Sequence, residues 1–256
     1  MPSVFHRTGS FAAAAARDPS TLITPGCLQG QTQHFAVYAD PALGGDGTQD
    51  AKGVLAVCEA DYAKVSGYFG GLAAGPFNVI LFSNPGGAYH ATCAATDLFC
   101  DARTNPADGD YSEFLNVAEF VEVFEAAQAA GWDCGRSNGE GLSRVLATDA
   151  YPKELDGFAT ASVWLDSNRD NFIDHNFNSD TNGPANGCSV LFLNWLRFQL
   201  NYSWQQIAGA AAPTLAQTYR RLTGTNDGSQ QFEHLINTQF PKGTPSGLVT
   251  DNPFPL

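Results

Sequence analysis

Glu119, Glu122 and Glu140 are the residues whose type and spacing could do chemistry in this chain. Glu119 and Glu122 fall one turn apart on a predicted helix over about residues 112–129, where Val117, Val121 and Phe124 recur at helical spacing. Leu115, Phe120 and Val123 make the other faces apolar too, so the helix is expected inside the protein. A carboxylate there must be paired, hydrogen-bonded, metal-bound or protonated. Buried carboxylates with separated pKa values are the usual apparatus of acid and base catalysis, glycoside hydrolysis included. The bland alternative, and the commoner fate of a helical glutamate, is a side chain that reaches solvent or caps a neighbouring helix.

Two phrases sharpen this: Ala118-Glu119-Phe120-Val121-Glu122-Val123-Phe124, and then Asn138-Gly139-Glu140-Gly141-Leu142. Together they resemble the Glu-zincin metallopeptidases, which carry H-E-x-x-H on one helix and a glutamate ligand on a second helix about twenty residues later. The resemblance covers roughly residues 116–200 and implies a zincin-like core. It places Glu119 at the general base, Glu140 at the third zinc ligand, and Ala118 and Glu122 at the two histidine positions. Alanine cannot coordinate a metal, and Glu122 with Glu140 would offer an all-oxygen partial site suited to calcium, magnesium or manganese rather than zinc. Zinc-dependent peptide hydrolysis is therefore not expected. The first expectation is a zincin-fold protein acting through Glu119, Glu122 and Glu140 as a ligand-binding or other non-peptidase protein. The second is an extracellular hydrolase, with glycosidase-like carboxylate chemistry or as a divergent metallopeptidase. In the family an edge strand of the sheet lies beside the cleft and pairs with extended substrate, which draws attention to the loop after Phe82.

His90, in the loop Gly87–Cys93, and Trp132, between the two glutamate helices, are the expected substrate-binding residues, although a lone loop histidine is more often structural. A separate run, Asp166-Ser167-Asn168-Arg169-Asp170-Asn171-Phe172-Ile173-Asp174, follows the opening of an EF-hand or dockerin calcium loop. Asp166, Asn168, Asp170 and Asp174 would be its oxygen ligands. Asn171 stands where glycine makes the sharp turn, and Phe177 replaces the twelfth-position acid, so an ordinary polar loop is the competing reading. Asp180 is an acid that could close the shell from three residues further on. Calcium is the one cofactor this pattern suggests.

Net charge is −13, and no basic cluster exceeds the pair Arg220-Arg221, so nucleic-acid binding is disfavoured. A polysaccharide or a peptide is the expected partner class. Six cysteines, an even number without a C-x-x-C pair, point to an oxidising compartment. Cys93 with Cys100 is the first expected disulfide, and Cys27 with Cys58 and Cys134 with Cys188 are the next, the alternative being that some of the six are small buried hydrophobes. No stretch approaches the ~20 apolar residues of a membrane span. The apolar run Phe11–Ala16, bracketed by Arg7 and Arg17, is too short for a secretory leader, so a mature chain, secreted or periplasmic, is expected.

With 43% hydrophobic content in 256 residues, the chain can bury a sizeable core. Residues 1–32 read as an irregular lead-in and 33–256 as one domain. Strands are predicted at 34–38 and 77–82, and helices at 49–68, 188–200, 204–211 (capped by Ser203), 214–222 and 230–240. Trp195 and Tyr202 read as packing residues. The order predicts an α+β fold, with a small sheet lobe over about 33–110 and a helical lobe over about 111–245.

Overall fold

A run of apolar residues long enough for one strand, FNVILF, becomes the centre of the sheet. In the computed structural model, which describes residues 18–83, 87–102, 110–154, 159–178 and 182–256, β3 (Phe77–Phe82) lies in a five-stranded sheet of order β1-β2-β3-β5-β4. β2 (Phe35–Ala39) and β5 (Asp97–Asp101) pair with it in parallel. β1 (Leu28–Gln31) and β4 (Ala88–Tyr89) close the two edges antiparallel. The parallel β2–β3 pair requires a crossover, supplied by the 25-residue helix α1 (Gly44–Tyr68).

Both faces of β3 are covered, which explains its nearly unbroken apolar sequence. Val37, Val79, Leu81, Leu98 and Cys100 join the main core with α1 and with α2 (Tyr111–Gln128). Ile80 and Phe99 point the other way, onto Leu22 and Cys27. The lead-in is thus not irregular throughout: residues 18–27 cover the second face of the sheet, and Leu28–Gln31 is its edge strand. Leu28–Gln31 (LQGQ) alternates only between half-buried and exposed, and so carries no hydrophobic pattern to announce it.

The chain is α+β, with helices following the sheet. Every residue of α2 from Tyr111 to Glu125 is buried, as the all-round apolar pattern demands. α3 (Ser137–Ala150) packs beside it and against α5 (Gly183–Phe198). A Cβ on Gly141 would stand 2.5 Å from the Cβ of Ser189, so glycine is what lets α3 and α5 approach this closely. α4 (Ala161–Leu165), α6 (Trp204–Gly209), α7 (Leu215–Thr223) and α8 (Gly228–Gln239) complete the helical part. Ser203 caps α6 in a full capping box with Gln206. Trp195 is stacked on Tyr219 and packs against Phe192 and Phe232, while the Tyr202 hydroxyl donates to the Leu222 carbonyl.

After α8 the chain runs back without regular structure, and Asp251 is its most heavily bonded side chain. Asp251 accepts from Arg144 Nε at 2.7 Å and from the backbone N–H groups of Thr160 and Ala161, and its own carbonyl accepts from Asn194. It ties together α3, α4 and α5.

Candidate functional site

The stripe Glu119, Glu122 and Glu125 runs along α2 at three-residue spacing, facing α3 and the loop between β4 and β5. Glu119 and Glu125 are fully buried and Glu122 nearly so. Glu122 is held from two sides. Ser143 of α3 donates to Oε1 at 3.2 Å, and His90 Nε2 lies 2.8 Å from Oε2. Glu119 Oε2 is 4.0 Å from the same ring nitrogen. His90 Nδ1 in turn faces the Ala95 carbonyl at 3.3 Å, so both ring nitrogens face acceptors, which is the geometry of an imidazolium. Burial alone would lower the His90 pKa, but the hydrogen bond to Glu122 and the charges of Glu119 and Glu122 raise it to about 9. His90 therefore turns inward to the carboxylates rather than out to solvent.

Glu140 is buried on the first turn of α3, one turn before Ser143, whose hydroxyl also bonds the Glu140 carbonyl. The two arginines nearest in sequence are engaged elsewhere, Arg136 with Asp133 at 3.1 Å and Arg144 with Asp251.

Past Glu125 the burial of α2 ends. A cleft of about 670 Å³ is bounded by Glu125, Trp132, Asp133, Asp174, Asn176 and Thr214 among its lining residues, and both Cys93 and Cys134 stand in its wall. Trp132 is oriented by its indole N–H, which donates to the Ala208 carbonyl. Neither oxygen of Glu125 has a hydrogen-bond partner among the described residues. Burial pushes its carboxyl well above the usual range, and Glu122 and Asp133 add to the shift, favouring the neutral acid. Glu125 is not among the residues expected from the sequence to act, although its three-residue step from Glu122 on the same apolar helix is a signal for it.

Cys93 is bonded to Cys134 with Cα atoms 5.6 Å apart, joining the β4–β5 loop to the α2–α3 loop. The three expected pairings are thus replaced. Cys100 faces the core from inside β5, out of reach of the loop, and Cys27, Cys58 and Cys188 are buried free thiols. Burial raises the thiol pKa of Cys58, Cys100 and Cys188, so these behave as small hydrophobes.

The run from Asp166 to Asp174 disperses its acids. Asp166 accepts from the backbone and hydroxyl of Ser246, and Asp174 accepts from Ser229 and Asn171. Among the described residues, no metal-competent cluster of histidine, cysteine and carboxylate groups includes Asp166, Asp170 or Asp174. Arg169 takes the left-handed conformation (φ 57°) and sends its guanidinium into the protein, onto the carbonyls of Leu165 and Phe240. Asn168 stands beside it. Asp180 lies outside the described residues. No helix among the described residues is long and apolar enough to cross a membrane.

Compared with known proteins, the chain matches no family model, no curated protein and no solved structure.

Proposed function

We propose that this is an extracytoplasmic ligand-binding protein on a zincin-related scaffold, and that its ligand, a neutral saccharide, lies in the cleft over Glu125. The observation that carries the reading is Glu125 itself, a buried carboxyl at the cleft with no partner for either oxygen among the described residues. A group left so is costly unless something outside the fold completes it. In its neutral form it donates one hydrogen bond and accepts others, which suits a hydroxyl-rich molecule better than an anion. Asp133, Asn176 and Thr214 add further polar groups, and Trp132, Ala126 and Pro213 supply apolar surface for the faces of a sugar ring. The disulfide fits an oxidising compartment. The antiparallel edge strand β4 beside α2 is in keeping with the zincin resemblance. Glu119, Glu122 and Glu140 then position His90 and α3 behind the cleft rather than meet the ligand.

Calorimetry against a panel of neutral oligosaccharides tests this. The wild type should bind at least one, and Glu125→Met should weaken that binding by about tenfold or more, the loss of a buried hydrogen-bonding group. Binding unchanged in Glu125→Met would sink the proposal. The raised pKa of Glu125 favours a second reading, a glycosidase in which Glu125 is the proton donor. Release of new reducing ends from the bound oligosaccharide would select it.

A further inference from the structure

The wall that separates the cleft from the buried carboxylates holds four potential metal ligands, two of which are tied up in a disulfide. Cys134 Sγ, a His90 ring nitrogen and a Glu122 carboxylate oxygen all lie within 4.8 Å of one another, and Cys93 Sγ is bonded to Cys134. We propose that reducing the Cys93–Cys134 disulfide turns this wall into a site for a thiophilic divalent cation of the zinc type, held by Cys93, Cys134, His90 and Glu122.

Geometry and chemistry both fit. Ligand atoms around tetrahedral zinc at ~2.0–2.3 Å from the metal stand roughly 3.3–3.8 Å from one another, so Cys134 needs to approach by about 1.5 Å at most, and His90 and Glu122, 2.8 Å apart, need to open by roughly half an ångström. Two thiolates, one imidazole and one carboxylate form a donor set for zinc rather than calcium. The outer shell is already in place. The Ala95 carbonyl takes the Nδ1 proton of His90 and leaves Nε2 as the coordinating atom, and Ser143 anchors the second oxygen of Glu122. The metal would take the position of the proton that now joins His90 to Glu122. Asp133 Oδ1, 4.0 Å from Cys93 Sγ, adds negative charge nearby.

Access is also in place, because both cysteines line the open cleft. A dithiol reductant attacks one sulfur, passes through a mixed disulfide and closes into its own disulfide. Two electrons and two protons thereby reach Cys93 and Cys134, and the S–S bond breaks. Zinc binding then releases the thiol protons to solvent. A low-molecular-weight disulfide reverses the sequence, taking back two electrons as the Cys93–Cys134 bond reforms and the metal leaves.

The test uses the full chain, freed of metal by chelation, with and without reduction by dithiothreitol followed by removal of the reductant under inert gas. Zinc alone is then titrated by calorimetry, with circular dichroism recorded in parallel. The reduced protein should bind one zinc per chain at least 100-fold more tightly than the oxidised protein. X-ray absorption at the zinc edge should show two sulfur and two nitrogen or oxygen neighbours. His90→Gln and Glu122→Gln, measured in the reduced state, should each weaken binding by tenfold or more. Equal affinity in both redox states, no sulfur or four sulfurs at the metal, or binding indifferent to both variants overturns the proposal. So does loss of fold on reduction that zinc fails to reverse. Should either variant fail to fold, the ligand count on the reduced wild type still decides.

Discussion

A glutamate whose two oxygens find no partner in a packed interior costs on the order of 1–3 kcal/mol. Glu125→Met, which keeps the volume and removes the polar atoms, should therefore raise the free energy of unfolding by about 1–3 kcal/mol, read from denaturant midpoints, in the same variant that loses ligand affinity. Equal or lower stability would mean that the carboxyl is satisfied in solution. At this scale much of the site is legible from sequence. Glu119 and Glu122 announce their burial because apolar residues surround them on every face of the predicted helix, and Glu125 carries the same signal one turn later. What cannot be read is which groups face them. His90 is 32 residues from Glu122, and Ser143 belongs to another helix, so these contacts exist only once the sheet and α3 are assembled.

Elements position the site by close approach. A Cβ on Gly139 would stand 2.3 Å from the Asp133 carbonyl oxygen and 2.6 Å from Glu125 Oε2. Gly139→Ala should cost about 1–3 kcal/mol, because the clash is with backbone that the neighbouring disulfide restrains. It should also weaken ligand binding by displacing Glu125, an effect that a stability change alone would not produce at temperatures well below the unfolding transition. The strands and helices found from the sequence, β2, β3, α1, α2 and α5, have long or strongly patterned apolar runs. Those that escape it are β1, β4, β5 and α4: β1 and β4 are short and lie at the sheet edges, where one partner and half burial leave little pattern, α4 is a single turn, and β5 sets only Leu98, Phe99 and Cys100 between two aspartates. The disulfide escapes for a related reason. Nearness in sequence favours Cys93 with Cys100, whereas the strand turns Cys100 into the core and the loop carries Cys93 across to Cys134.

For the whole molecule, several buried groups bind protons more tightly folded than unfolded, so acid favours the fold. Glu113 is raised from 4.5 to about 7, chiefly by burial, with Asp50, Asp110 and Asp61 adding to it. Its contribution is complete below pH 4.5 and fades as pH climbs through 7. His90, raised from 6.5 to about 9 by Glu122 and Glu119 against the pull of burial, contributes fully below 6.5 and loses its effect through 9. Each shift corresponds to on the order of 3 kcal/mol at most. The growing negative charge of a chain already at −13 acts in the same direction. Thermal unfolding midpoints should therefore fall from mildly acidic to alkaline pH. Glu113→Gln should flatten the lower part of that slope and His90→Gln the upper part. A midpoint that rises between pH 6.5 and 9 would contradict the His90–Glu122 pairing.

The Asp251 anchor bears on the order in which the chain can fold. Asp251→Ala should cost about 3–5 kcal/mol, since it strips a buried guanidinium of its carboxylate and leaves two backbone N–H groups without their acceptor. The same contacts span 107 residues between Arg144 and Asp251. During synthesis the junction of α3, α4 and α5 lacks its Asp251 contacts until the polypeptide has been extended through residue 251 and cleared the ribosome. None of these Asp251 hydrogen bonds reaches the sheet or α1. Nascent chains halted before that point should accordingly show a protease-resistant amino-terminal part joined to a helical part that is still digested, and the helical part should become resistant only after Asp251 has emerged.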